Sequence, residues 1–130
     1  MAATLTIRRA GTYQLDVLVD GLNVIGSPYK YLEITPTAIS AANCVPQNVP
    51  TTIYAGFEYS FLIQARDADH NNLVSKLAVA APSNSAYLNL GGSNIVTGTI
   101  TDYSSNGVFK VSFNVPKSVT PGSYTYKVYF

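Results

Sequence analysis

"GTYQLDVLV", Gly11 to Val19, and "GSYTYKVYF", Gly122 to Phe130, are two versions of one strand. The pairs Gly11/Gly122, Tyr13/Tyr124 and Val17/Val128 are identical, Thr12/Ser123 is conservative, and every pair keeps the same offset. Tyr13, Leu15, Val17 and Val19 alternate with other residues in the same phase as Tyr124, Tyr126, Val128 and Phe130. Period-two alternation turns one face of a strand to a core and the other to solvent. A chain carrying the same strand near both ends therefore reads as a window on repeating β-structure, with the offset from Gly11 to Gly122 as its period.

The same alternation runs through the intervening sequence. In "FEYSFLIQARD" the set Phe57, Tyr59, Phe61, Ile63 and Ala65 shares one face, and "GVFKVSFNV" repeats the pattern with Phe109, Val111, Phe113 and Val115. No segment of ten or more residues shows helical spacing. Asp20-Gly21 and Asn106-Gly107 stand where tight hairpins need positive φ. Pro28, which cannot donate to a ladder, suits an edge or bulge beside Gly26. Strands are expected near residues 39–45, 53–66, 73–80, 86–90, 94–101, 107–115 and 123–130, with two or three more before residue 35. Short strands with turns every ten residues or so predict an all-β immunoglobulin-like β-sandwich. Nine or ten strands are too many for one seven-stranded sandwich, and "TPTAISAANCVPQNVPTT", with prolines at 36, 46 and 50, reads as a domain junction followed by an irregular edge strand.

Composition narrows the function classes. A chain of 130 residues with 47% hydrophobic residues is long enough for one core. Charged residues are only 12%, about half the usual share, which favours an extracellular or cell-surface setting. A net charge of +1 with scattered basic residues gives no footprint for nucleic acid, and Arg8-Arg9 reads as a solvated pair in a turn. No apolar run reaches the roughly 18 residues of a membrane helix, so no membrane insertion is expected of this segment. Met1 to Ile7 lacks the apolar block of a secretion signal, so a signal would lie outside this chain. The single cysteine, Cys44, cannot form an internal disulfide and reads as a small buried hydrophobe or a link to another chain. The sequence contains no Asn-x-Ser/Thr acceptor.

"FLIQARDADHNNL" resembles the second strand and following turn of a filamin-type immunoglobulin-like repeat. "GVFKVSFNVPKSVTPGSYTYKVYF" is similar to that repeat's later strands, and "GLNVIGSPYKYLEI", with Gly-Ser-Pro before an aromatic, to its closing strand. Phe109 stands where the family often has Tyr, and His70 and Asn71 where Gly is common. The order is shifted. Residues 1–35 resemble the C-terminal strands of a preceding repeat, or donor strands for a neighbouring copy, and residues 36–130 a repeat lacking its final strand. Completion within one chain is unfavourable, because the poles of such a sandwich stand roughly 20 Å or more apart. The connector Thr35–Ala38 spans at most about 14 Å. The resemblance implies partner-strand addition at an edge carried onto Leu73, Val74, Ser75, Lys76, Leu77, Ala78, Val79 and Ala80.

The remaining candidates are weighed on their own chemistry. Asp67, Asp69 and Asn71 in "DADHNN" open like a calcium loop, but the twelfth position is Ala78 rather than Glu and the sixth is not Gly, so a polar turn is the stronger reading. His70, the only histidine, and Cys44 fall in separate segments and suggest no base–nucleophile couple. Gly91-Gly92 follows a strand but precedes no helix, which is wrong for a phosphate cradle. Tyr13 and Tyr124 suit tyrosine corners. Tyr29 and Tyr129 could face sugars or neighbouring subunits. A non-enzymatic structural module is expected, without cofactor, assembling with adjacent repeats or other copies of itself. Leu22, Val24, Ile25, Tyr29, Tyr31 and Ile34 would complement an open sandwich. A carbohydrate- or ligand-binding accessory module is the alternative.

Overall fold

The computed structural model describes residues 4–74, 85–104 and 106–130. Among these the chain is all-β, and its one helical element is a 3-10 turn at Ala41–Asn43. The strands are β1 (Gly11–Leu15), β2 (Leu18–Val19), β3 (Leu22–Asn23), β4 (Tyr29–Ile34), β5 (Val45–Gln47), β6 (Glu58–Gln64), β7 (Ser85–Leu90), β8 (Ser93–Ser104), β9 (Val108–Asn114) and β10 (Thr125–Tyr129). No described helix is long and apolar enough to cross a membrane.

Six strands form one curled sheet in the order β10-β7-β8-β9-β6-β5, with every pairing antiparallel. The curl depends on β8, a strand of 12 residues that serves two neighbours. Its first half pairs with β7, ending at Ala86↔Gly98, and its second half pairs with β9 from Thr99↔Ser112. Gly98 is the hand-over point. A side-chain carbon there would lie 2.5 Å from Phe113 Cε1 and 2.8 Å from the Ser112 carbonyl oxygen. Only hydrogen at this position lets the Phe113 ring lie across the strand and the sheet fold back on itself.

The inward residues follow the alternation of the sequence. Phe61, Ile63, Val111, Phe113 and Val115 from one half meet Ala86, Leu88 and Val96 from the other, forming the main core. Ala65, Leu73 and Phe109 make a smaller cluster at one end. Buried polar groups are satisfied: the Gln64 side chain donates to the carbonyls of Ala65, Asn106 and Gly107. The Asn89 side chain donates to Asn94 and accepts from the Gly92 amide. Gly91-Gly92, both at positive φ, is the two-residue turn between β7 and β8. Together these features make a β-sandwich-like fold.

The segment up to Ile34 stands apart from that sheet. β1 pairs with β4 as a two-stranded ribbon, and β2 with β3 around Asp20-Gly21, both at positive φ as the turn requires. The register slips between Tyr13 and Leu15, opposite the Tyr29–Leu32 stretch, where Tyr31 adopts φ 64°. This bulge follows directly after Pro28.

Several expected boundaries move. The strand anticipated over 53–66 begins at Glu58, and Phe57 is 63% exposed rather than inward. Gly56 at φ 88° and the pairing of Gly56 and Phe57 with Val115 turn the chain just before the strand. The strand anticipated over 39–45 is reduced to an isolated bridge at Ile39, the 3-10 turn and the short β5.

Replacing Gly98 by Ala should cost about 1–3 kcal/mol, because the added methyl overpacks the Phe113 contact. Urea unfolding measures it. The same substitution at Gly91, where no atom lies within 4 Å of the added carbon, meets no such obstacle and pays only for its positive φ.

Candidate functional site

Two features of the molecule have more structure than the fold itself requires: a polar joint between the ribbon and the six-stranded sheet, and an open apolar edge.

The joint is built on Asp67, which is 1% exposed. Its Oδ1 accepts the amides of Asp69 (3.0 Å) and Asn71 (2.9 Å). Its Oδ2 accepts the Thr37 amide (3.0 Å), the Thr37 hydroxyl (3.4 Å) and the Asn71 side-chain amide (3.0 Å). Burial by itself would push this carboxyl up. The donors from the Asn71 side chain and from the Thr37, Asn71 and Asp69 backbones outweigh that effect and hold it at about 2. Asn71 carries the connection outward, donating to the Arg8 carbonyl at 2.8 Å and accepting the Ala10 amide at 2.8 Å. One carboxylate and one amide thus tie the connector at Thr37 and the entry to β1 onto the turn after β6.

In this structure "DADHNN" forms a polar turn whose oxygens are turned to protein donors. Both Asp67 oxygens and the Asn71 oxygen are engaged by protein donors. Among the described residues no group of three or more His, Cys, Asp or Glu is placed to hold a metal. His70 sits in the same turn at φ 64°, its amide donating to the Asp67 carbonyl. Cys44 lies elsewhere, its thiol directed at the Ser40 carbonyl.

The open edge belongs to β10. Among the described residues it has a hydrogen-bonded neighbour, β7, on one side only. Because the sheet is curled, its two end strands approach each other across a groove of about 250 Å³. Cys44, Phe61 and Ile63 line it, with Pro46 and Val49 on the β5 side and Tyr126, Val128 and Phe130 on the β10 side. Tyr126 and Val128 are the inward face of β10 and Phe130 follows it in the same phase, yet each is only half-buried. The Tyr126 hydroxyl donates to the Pro50 carbonyl at 3.0 Å, and burial, with the nearby Tyr59, raises its pKa.

The two strands that match in sequence carry the same device. Tyr13 donates its hydroxyl to the Arg9 carbonyl (2.8 Å), and Tyr124 donates to the Thr120 carbonyl (2.5 Å), in each case four residues back. These are two tyrosine corners at equivalent positions. One entry strand, β1, is covered by β4. The other, β10, has the open edge.

The residues expected to complement an open sandwich are exposed in the ribbon: Leu22 at 75%, Ile25 at 102%, Tyr31 at 83% and Tyr29 at 47%, with Val24 and Ile34 intermediate. The expected partner edge fares differently. Leu73 is a core residue at 3% exposure and Val74 is exposed, and neither lies in a strand. Ser75, Lys76, Leu77, Ala78, Val79 and Ala80 lie outside the described residues. Sequence reading missed the joint because Asn71 bonds to residues 61 and 63 positions away, a pairing that no local pattern encodes. No family model matches the chain, and no curated protein matches it.

The Asp67 carboxyl is held below its ordinary value of 3.8 in the folded state, so the stability it contributes is full above about pH 4 and is lost as the pH falls toward 2. Asp67→Asn removes one acceptor from a cluster of donors. It should cost about 2 kcal/mol at neutral pH and flatten this part of the acid transition, as followed by denaturant melts from pH 7 to pH 2.

Proposed function

We propose that this chain is a non-enzymatic structural module of a tandem array of immunoglobulin-like, filamin-type sandwiches, joined by short connectors and by strand complementation into an extended fibre or cell-surface spacer. In this reading residues 1–35 are the closing strands of one unit and residues 36–130 the body of the next. The observation that carries it is the paired tyrosine corner. Tyr13 and Tyr124 make the same bond to the fourth residue back, at strands spaced one period apart. A ribbon of two strands is marginal alone in water, and the apolar side chains it exposes are those of a strand that has lost its sandwich. The Asp67–Asn71 joint supplies the short connection that a serial array needs, because it fixes the ribbon to the following unit.

Head-to-tail assembly of one chain is a heterologous contact, which propagates rather than closing on itself. Sedimentation velocity over a concentration series should therefore show open-ended growth. Leu32→Lys on β4 blocks the donating end, and Phe130→Lys in the groove blocks the receiving end. Each variant alone should stay monomeric, and an equimolar mixture should stop at a heterodimer. A wild-type chain that stays monomeric at every concentration, or variants that polymerise unchanged, would overturn the reading. Binding to a glycan array with no self-association would instead favour the accessory-module alternative, for which the half-exposed rings of Tyr29 and Tyr129 are the available surface.

A further inference from the structure

We propose that the outer edge of β10, with the residues Gly122–Tyr124 that lead into it, is a receptor for one extended segment, Leu22–Ile34 of a second copy, taken up antiparallel in the register that β4 keeps with β1. The inference rests on the assembly reading above and adds to it the occupant and the alignment.

The chain contains its own template. β1 and the stretch Gly122–Phe130, which enters β10 at Thr125, match in sequence and carry equivalent tyrosine corners, and β1 is already paired. Its partners are Gly11↔Ile34, Thr12↔Glu33, Tyr13↔Leu32 and Leu15↔Tyr29. Advancing the first member of each pair by one period, from Gly11 to Gly122, places Ile34 opposite Gly122, Glu33 opposite Ser123, Leu32 opposite Tyr124 and Tyr29 opposite Tyr126. The lock beyond β4 carries over as well. Ser27 Oγ accepts the Val17 amide at 2.9 Å and the Val24 amide donates to the Val17 carbonyl at 3.0 Å. Val128 is the residue at the same position in β10.

Side-chain chemistry agrees with this register. Directly opposed residues of an antiparallel pair share a face. Leu32 and Tyr29 would then lie on the side of Tyr124 and Tyr126, both of which pack against the main core, Tyr126 also lining the groove. A one-residue slip would turn Glu33 into that apolar groove and Leu32 out to solvent, so the groove itself selects the register. Transfer of the segment exchanges the β1 pairing for an equivalent one. In addition it covers Leu22 and Ile25, both largely exposed in the ribbon, against a preformed core. This is strand exchange between identical chains, continuing an interface that the β1–β4 pair already displays.

The test uses the full chain carrying Leu32→Lys, which cannot donate its own segment, and a synthetic peptide of residues 21–35. Leu32 lies outside the six-stranded sheet, so the receiving groove is intact in this variant. Cys44 lines the groove, and its alkylation by a small maleimide should slow at least tenfold at saturating peptide, whereas a peptide with Leu32→Lys should give no protection. Register is read by disulfide trapping in a Cys44→Ser, Ser123→Cys chain. A peptide with Glu33→Cys should cross-link, and peptides with Ile34→Cys or Tyr31→Cys should not. Cross-linking to Tyr31→Cys in preference to Glu33→Cys overturns the register. Absence of both protection and cross-linking overturns the receptor assignment, even where the unmodified chain assembles. Failure of the unmodified chain to assemble, with the peptide still bound, overturns the assembly reading and leaves the receptor standing.

Discussion

Three aromatic rings hold the six-stranded sheet closed on itself. Tyr126 of β10 meets Phe61 of β6 edge-on with centroids 5.2 Å apart, and Phe113 of β9 at 5.7 Å, while Phe61 and Phe113 stack at 6.4 Å. Phe61 and Phe113 sit on neighbouring strands of one half and Tyr126 on the other, so the contacts of Tyr126 with both rings hold the halves face to face. Each such pair contributes about 0.5–1.5 kcal/mol beyond its burial. The consequence extends past stability. Because the curl brings β5 and β10 toward each other without joining them, the closing interaction of the core also creates the groove to which we assign the proposed assembly.

The connection between ribbon and sheet is of a different kind. It is polar, localised on Asp67 and Asn71, and directional, since each donor and acceptor has one partner geometry. Apolar contacts tolerate sliding, whereas a carboxylate surrounded by five donor contacts does not. The serial array we propose would use this division of labour, with adaptable cores inside units and directional bonds between them. In the proposed repeat, Val119–Pro121 stand at the positions of Arg8–Ala10. Pro121 has no amide hydrogen, so a joint formed there could keep the bond to a carbonyl but not the bond made by Ala10.

Much of the architecture was legible in the sequence because alternation is a local signal. Tyr59, Phe61, Ile63 and Ala65 face inward as expected, as do Phe109, Val111, Phe113 and Val115. Asp20-Gly21 forms the turn that its backbone preferences dictate. What escaped was set by distant atoms. Phe57 continues the alternation of β6, yet the backbone has turned before it, because Val115 engages the Gly56 amide and the Phe57 carbonyl. Leu73, read as the start of an edge strand, is drawn instead into the small core with Ala65 and Phe109. The turn at Asp67 to Asn71 was recognised as polar, but its role in the joint depends on residues near the start of the chain. The exposed apolar residues of the ribbon could be named from the sequence, whereas the groove, built from residues of β5, β6 and β10, could not.

Residue-resolved amide hydrogen exchange on the intact chain, over a range of concentrations, tests the central claim most directly. At high dilution the alternate amides of Thr125–Tyr129 that point away from β7 should exchange orders of magnitude faster than those of β6 and β9. They should gain protection as the concentration rises. Equal protection of every amide in β10 at all concentrations would mean that the edge is already closed within a single chain, and would contradict the account.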